Sequence, residues 1–333
     1  MKRQLNTTSV RRTVTLSCLV SFVLSATALL ACQVPVFRFA LERWNPDPYR
    51  IQVLVSGSLN DDQRQLLEAF QDKHVRRCAQ VSVIDVSRTT DPAVKALWSQ
   101  HPNNGHPLLA AFYPESSSTP ENQPASVMSL TKDGVSQLVM SPAREDVIRR
   151  LSAGQSVVWV LVRSGQKDRD TAAVKTLEAQ LAKDADWLKL PSPEELEVKP
   201  SVLEEAKIPL QIQFSVVEVD RDDAQEQFLI DCLLNSEEDL RDYDEPLAFP
   251  VFGRGRVLYA LVGQGISSDT IRAASSFIAG PCSCQVKSQN PGFDLILPHD
   301  WETTIGPTFI SQPLPEEGRK PQLLTIPPGR RAK

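Results

Sequence analysis

Hydrophobic and polar residues follow two periods along this chain, one typical of strands and one typical of helices. Short runs of valine, isoleucine and leucine indicate strands, and apolar residues three and four apart indicate amphipathic helices. In the first half the pattern predicts a strand, a helix, a strand, a helix, two strands and a helix. These elements lie, in order, at residues 49–55, 58–74, 79–86, 91–98, 108–113, 126–130 and 141–151.

The second half repeats this order, and short sequence echoes accompany the repeat. The first predicted strand of each half ends in Ser-Gly, at Ser56-Gly57 and at Ser164-Gly165. Self-similarity of this kind indicates a duplicated structural unit. The second set of elements lies at residues 157–162, 168–188, 211–219, 224–234, 247–252, 257–262 and 268–278.

The two sets of elements predict two tandem α/β domains, at residues 49–154 and 155–301, each with the order β-α-β-α-β-β-α. With 333 residues, 41% of them hydrophobic and 23% charged, the chain has the size and composition of a two-domain globular protein. Its net charge of −5 is spread over both signs, unlike the clustered lysine and arginine of nucleic-acid-binding surfaces. We therefore predict no nucleic-acid partner.

The first 31 residues have the layout of a secretory signal peptide or membrane anchor. Basic residues precede an uncharged apolar run over residues 13–31, which predicts export with the rest of the chain beyond the membrane. The run ends in Leu-Leu-Ala before Cys32 and resembles the lipobox of bacterial lipoproteins. We expect Cys32 to be acylated; an uncleaved anchor and ordinary cleavage are the alternatives. Each of them places the bulk of the chain on the periplasmic side, and the first two attach it to the membrane.

A short amphipathic lead-in follows at residues 32–48. Phe37, Ala40, Leu41 and Trp44 share one face of a helix. This spacing favours a helix that docks on the first domain. The alternative is that the aromatic face lies on the lipid surface beside the anchor.

Three segments resemble a family of bacterial exported envelope proteins for which no activity is established. The segments are CQVPVFRFALERW, FPVFGRGRVLYALVGQGI and GPCSCQVKSQNPGFDL, and the likeness extends from Cys32 to about Trp301. The resemblance implies export and a shared architecture, and it implies no reaction or ligand.

The order of elements in each half also resembles that of thioredoxin-like domains. The resemblance implies a functional site where the first strand meets the first helix, beside a proline that precedes the third strand. Neither half has a cysteine there, although a redox dithiol needs a low-pKa thiolate at that helix terminus. Both halves therefore resemble redox-silent binding or assembly modules. The corresponding residues are Ser56, Gly57 and Ser58 with Pro107, and Ser164, Gly165 and Gln166 with Pro246 or Pro250.

Four cysteines remain when Cys18 and Cys32 are set aside, an even number in a chain predicted to be exported. Cys282 and Cys284 are two residues apart and would face the same side of a strand. We favour a disulfide from one of this pair to Cys232. A bond or thiol pair between Cys282 and Cys284, and a thiophilic metal site, are the alternatives. The fourth is Cys78.

Other chemical motifs are weak, and we predict no cofactor. His101 and His106 share a loop without a further metal-ligating side chain, and neither a nucleophile elbow nor a dinucleotide fingerprint is present. The acidic stretch at 220–245 is predicted to form a solvated face. The alternative is a docking patch for a basic partner. Proline-rich residues 302–333 are predicted to be a disordered tail.

These observations predict a membrane-anchored, non-catalytic protein of the bacterial envelope that binds or scaffolds an envelope protein complex. The alternative is a thiol redox or thiophilic-metal-binding envelope protein that acts through Cys282 and Cys284. The sequence does not name the partner.

Overall fold

A computed structural model describes residues 33–101, 105–117, 119–120, 123–282, 287–308 and 310. The predicted signal or anchor, Cys32 and Cys284 lie outside the described residues. Within them, none of the helices combines the length and the hydropathy that crossing a bilayer requires.

The first half begins with a helix ahead of its first strand. Its elements are α1 (Val36–Arg43), β1 (Tyr49–Val55), α2 (Asp61–Leu66), α3 (Lys73–Cys78), β2 (Ala79–Asp85), α4 (Pro92–Gln100), β3 (Leu108–Phe112), β4 (Pro124–Ser129), α5 (Lys132–Val139) and α6 (Pro142–Ser152).

The prediction of a single helix over residues 58–74 is wrong, because the chain forms separate helices there. Asn60 caps α2, a 3-10 helix follows at Leu67–Gln71, and Asp72 then starts a new helix. The Asp72 carboxylate accepts hydrogen bonds from the backbone N–H groups of His74 and Val75, which makes it the N-cap of α3. The chain is therefore redirected at Asp72, and α3 reaches further along the sequence than the periodicity indicates.

The second half has a longer first helix and a broken hairpin. Its elements are β5 (Val157–Arg163), α7 (Lys167–Trp187), α8 (Pro200–Glu204), β6 (Phe214–Asp220), α9 (Gln227–Leu234), β7 (Leu247–Phe252), β8 (Arg256–Val257), β9 (Leu261–Val262), α10 (Ser268–Ala279), β10 (Phe293–Asp294) and α11 (Trp301–Ile305). The returning strand predicted at 257–262 is thus two short strands, β8 and β9, which both pair with β7.

Two mixed sheets confirm the predicted α/β class. The first sheet has the order β2-β1-β3-β4, and the second has the order β10-β8-β7-β5-β6, with β9 also paired to β7. In both sheets the first two strands of the half are parallel, and the third strand is antiparallel to the first.

The two halves share one hydrophobic core. Ile51 and Val53 of β1 belong to the same buried cluster as Val158 and Val160 of β5. Helix α6 of the first half packs against β5 and β6, and α9 of the second half packs against β4. The middle layer of the molecule is therefore built by helices from both halves.

The outer face of the second sheet is covered by α1, α7 and α10. Trp159 and Leu161 of β5 are buried there among side chains of all three helices. Helix α4 covers part of the outer face of the first sheet through Val94, which packs with Leu54 and Leu108.

Helix α1 docks on the second half, not on the first as predicted. The backbone N–H of Val36 donates to the carbonyl of Gly280 over 2.9 Å, and the N–H of Cys282 donates to that of Val34 over 2.8 Å. The aromatic residues Phe37 and Phe39 are buried against α10 and β7. The alternative in which this aromatic face lies on lipid is therefore wrong.

The ordered structure continues beyond the predicted start of the tail at residue 302. Helix α11 buries Trp301 and Ile305, and Ile310 is buried while its backbone N–H donates to a carboxylate oxygen of Glu42 over 3.2 Å. The prediction of disorder is wrong for this part, since it packs on α1. The rest of the predicted tail, 311–333, lies outside the described residues.

Candidate functional site

In the second half, the predicted strand-to-helix loop is closed by a carboxylate of the chain itself. Asp170, on the first turn of α7, is 1% exposed. One of its oxygens accepts from the backbone N–H and the hydroxyl of Ser164, both over 2.8 Å, and the other accepts from the N–H of Gly165 over 3.1 Å. The backbone N–H groups of Ser164 and Gly165 and the Ser164 hydroxyl therefore form hydrogen bonds within the chain that stabilise the loop.

The equivalent loop of the first half uses an exposed carboxylate. Asp85, at the end of β2, accepts from the N–H of Gly57 over 2.9 Å and from the hydroxyl of Ser87 over 2.7 Å. The Ser87 hydroxyl and then the Gly57 N–H hold the pKa of Asp85 below its ordinary value. Ser56 is exposed beside this loop, and Pro107 is buried with its carbonyl bonded to the N–H of Leu130.

Replacing Asp170 by alanine is expected to destabilise the protein by about 1–3 kcal/mol, because partly buried N–H groups lose their acceptor. Urea unfolding followed by circular dichroism measures the loss. The matched control is Asp85→Ala, where water can replace the carboxylate and the loss should be smaller. An equal loss in the two variants would contradict this account of the loops.

The disulfide predicted between Cys232 and the Cys282–Cys284 pair is not formed in the structure. Cys232 is a free thiol in the core between the sheets, whereas Cys282 lies in the cluster on the opposite face of the second sheet. The sheet itself separates them. Because Cys284 is outside the described residues, a bond between Cys282 and Cys284 stays a prediction.

The buried thiols have little nucleophilic character. Burial raises the pKa of Cys78 to about 12 and raises that of Cys232 well above its ordinary value. Among the residues that the structure describes, no group of three or more histidine, cysteine or acidic side chains is arranged to hold a metal ion.

We expect Cys78 and Cys232 to resist iodoacetamide in the native protein and to react fully in urea, because only unfolding exposes them and restores ordinary thiol acidity. Mass spectrometry of tryptic peptides, without prior reduction, measures the labelling. Labelling of Cys232 that appears only after a reductant is added would restore the predicted bridge.

The proline beside the second loop is Pro246. Gln166 donates from its side chain to the carbonyl of Asp244 over 2.8 Å, which ties the loop to the residues before Pro246. An open groove of about 340 Å³ lies there, between Arg169 of α7 and Ile266. Pro250, the other candidate, lies within β7 opposite Trp159.

A second cavity, of about 260 Å³, lies where the two halves meet the C-terminal segment. We call it the junction pocket. Its walls come from α3, from the residues between α1 and β1, from the turn after β7 and from the residues around α11. The lining residues are His74, Arg77 and Cys78, then Asn45 and Pro46, then Arg254, and finally His299, Trp301 and Glu302.

Two arginines converge on one carboxylate in the junction pocket. Arg254 donates from Nη1 to Glu302 Oε1 over 3.0 Å, and Arg77 donates to the other oxygen of Glu302. Burial opposes ionisation of Glu302, but hydrogen bonds from its own backbone N–H and from Arg77 outweigh burial and hold its pKa below the ordinary value. Burial lowers the pKa of Arg254, an effect that Glu302 partly offsets.

Two nitrogens of the pocket residues are buried without a hydrogen-bond partner among the described residues. They are Nδ1 of His74 and Nε1 of Trp301. The third ring, His299, bonds through Nε2 to the Thr304 hydroxyl over 2.7 Å and meets Trp301 edge-on at 4.9 Å.

The junction pocket is the functional candidate that the sequence did not indicate. His74, Arg77 and Cys78 are three and four residues apart and so share one helix face, which is the only local signal. Their partners Arg254 and Glu302 are far along the chain, and no spacing rule connects them. The predicted residues Ser56 and Ser164 lie at other places in the molecule.

No protein-family model, curated protein or solved structure matches this chain in the three comparisons made.

Proposed function

We propose that this chain is an exported, membrane-attached and non-catalytic binding protein of the bacterial envelope. The observation that carries the proposal is the closure of both strand-to-helix loops by carboxylates of the chain, Asp85 and Asp170, which are held by hydrogen bonds within the loops, and neither loop has a cysteine or a histidine. Such loops offer a partner a shaped surface, and they offer no thiolate for redox exchange.

The strand arrangement supports thioredoxin-like topology for both halves. In that fold the first strand is central, the second is parallel to it on one side, and the third is antiparallel to it on the other. The orders β2-β1-β3-β4 and β6-β5-β7 have this arrangement. The junction pocket and the groove at Pro246 then supply concave surfaces at the contact between the halves and at the second loop.

The position of α1 supports attachment close to the membrane. An acylated Cys32 lies four residues before Val36, so the extended chain between them spans at most about 14 Å. Because α1 is fixed to α10 and β7, a lipid on Cys32 would hold the second half near the bilayer surface.

The thiol alternative has less support. Cys282 is 1% exposed and Cys232 is a free buried thiol, whereas reactive cysteines lie in accessible, electropositive surroundings.

Expression of the full chain in a bacterium, followed by fractionation and mild crosslinking of the membranes, tests the proposal. We expect the protein in the membrane fraction with a lipid-modified mature N-terminus, and crosslinked to a recurrent envelope component. Cys32→Ser should abolish the modification and Cys18→Ser, the control in the apolar run, should not. Recovery of wild-type protein in the cytoplasm, or an acyl-serine probe attached to Ser56 or Ser164, would overturn the proposal.

A further inference from the structure

We infer that the junction pocket binds a small carboxylate, which replaces the Glu302 carboxylate between Arg77 and Arg254. The inference rests on the proposed binding function and names the class of ligand.

One half of the clamp is preorganised. Arg254 is 8% exposed and is held by four protein acceptors. Nε donates to the Leu41 carbonyl over 2.8 Å, Nη1 to Asn45 Oδ1 and Glu302 Oε1, each over 3.0 Å, and Nη2 to the Glu42 carbonyl over 3.3 Å. A guanidinium fixed in this way keeps its orientation when Glu302 is displaced. It therefore loses little conformational freedom when it binds a ligand.

The other half of the clamp is easily opened. The side chains of Arg77 and Glu302 are 53% and 48% exposed, so water competes well for their ion pair. Glu302 is tethered only through the short helix α11, and rotation of its side chain toward solvent frees both guanidinium groups. A carboxylate from solution then meets two arginines whose planar donors match its two oxygens.

The surrounding charges favour an anion once Glu302 has moved. Lys73, Arg77 and Arg254 contribute three positive charges near the pocket, and Asp300 is paired with Lys73 at 3.8 Å. Removal of Glu302 therefore leaves Arg77 without its ion-pair partner, and leaves Arg254 near only the charge of Glu42, which is already paired with Arg38, among the described residues. An incoming carboxylate restores the balance, whereas a cation does not.

The size of the pocket limits the ligand. A cavity of about 260 Å³ lies just below the usual range for ligand sites, which begins at roughly 300 Å³. The ligand class is therefore a small carboxylic acid.

Isothermal titration of the full chain in detergent, at constant ionic strength, tests the inference with succinate as the probe. We expect saturable binding by the wild type. Glu302→Gln removes the internal competitor and should tighten binding about ten-fold, and Arg77→Gln should weaken it about ten-fold, as expected for one charge-assisted contact. Arg76→Gln, an exposed arginine of the same helix that does not line the pocket, is the matched control and should leave affinity within about two-fold.

Inorganic phosphate and propionate, titrated in parallel, define the class. Binding of propionate as well as succinate supports a site for a single carboxylate. Phosphate binding with no succinate binding would overturn the assignment to carboxylates. Absence of succinate binding in both wild type and Glu302→Gln, or equal affinities for Arg77→Gln and Arg76→Gln, would overturn the site.

The two proposals fail in different ways. If succinate does not bind while crosslinking still recovers an envelope partner, the ligand inference is wrong and the proposed function stands. If succinate binds with the expected variant pattern while the protein is cytoplasmic, the site is correct and the proposed envelope function is wrong.

Discussion

Replacing Arg144 by alanine is expected to lower the free energy of unfolding by about 3–5 kcal/mol, because it leaves several buried acceptors unpaired at once. Arg144, on α6, is completely buried. It donates to the Ser141 hydroxyl and to the carbonyls of Gln137, Leu138 and Ile296. Its guanidinium also lies over the ring of Phe228, 5.1 Å from the centroid.

Arg144 links three parts of the molecule that are distant in sequence. Its partners belong to the end of α5, to α9 of the second half and to the segment after β10. Burial lowers its pKa to about 10, which still leaves the side chain charged at neutral pH. Its loss should therefore loosen the contact between the halves as well as reduce stability.

Urea unfolding of Arg144→Ala measures the effect, with Arg149→Ala as the matched control. Arg149 is on the same helix and pairs at the surface with Asp146, so its loss should cost no more than about 1 kcal/mol. Similar costs for the two variants would mean that the buried contacts of Arg144 contribute little.

Asp294→Asn is expected to destabilise the protein by a similar amount, about 3–5 kcal/mol, because it breaks a buried ionic network from the acidic side. Asp294 is 4% exposed. It pairs with Lys287 and, over 3.4 Å, with Arg256, and it accepts from the backbone N–H of Asp47 over 2.8 Å. Asparagine keeps the shape and removes the counter-charge of Arg256, whereas Lys287 keeps Asp47 at 3.0 Å as an ion-pair partner.

The same network makes part of the stability dependent on pH. Burial raises the pKa of Asp294, but Lys287 and Arg256 outweigh it, and the pKa lies below the ordinary value of 3.8. A carboxyl group with a lowered folded-state pKa stabilises the fold above its unfolded-state pKa, and this contribution is lost as pH falls through the folded-state value.

Chemical unfolding of wild type and Asp294→Asn between neutral pH and pH 3 measures this loss. The difference in stability should be constant at neutral pH and should shrink below about pH 4. Asp91→Asn is the control, because Asp91 is an exposed N-cap of α4 that asparagine can replace. A difference that does not change with pH would exclude ionised Asp294 as its source.

The hydrophobic pattern predicts the bounds of two strands well. The strand predicted at 49–55 coincides with Tyr49–Val55, and that at 247–252 with Leu247–Phe252. The first begins with alternating apolar and polar residues and the second is a continuous apolar run, and both patterns are typical of strands. The long helix predicted at 58–74 was wrong because Asp72 competes for backbone donors inside an otherwise helical pattern.

Partner choice between segments could not be predicted in the same way. The pattern predicts that α1 has an apolar face. Both α10 and the first domain are also predicted to have apolar surfaces, so the sequence does not show on which of them α1 docks. Charged side chains such as those of Arg38 and Glu42 are ordinarily exposed, yet both are buried on α1, 2.5 Å apart. Packing between distant segments determines where α1 docks and whether Arg38 and Glu42 are buried. Periodicity predicts only local secondary structure.

The junction pocket likewise could not be predicted from the sequence. Arg77, Arg254 and Glu302 come from three segments whose approach depends on how the halves pack. The absence of cysteine from the strand-to-helix loops, by contrast, can be read directly from the sequence.

The docking of α1 on the second half imposes an order on folding during synthesis. The chain emerges from its N-terminus, so α1 appears well before β7 and α10, from which it is separated by about two hundred residues. Until those elements arrive, Phe37, Phe39 and Trp44 have no native surface to cover them. The N-terminal segment can thus reach its native position only after the C-terminal half has been synthesised, and during that interval its exposed aromatic residues are available to a chaperone.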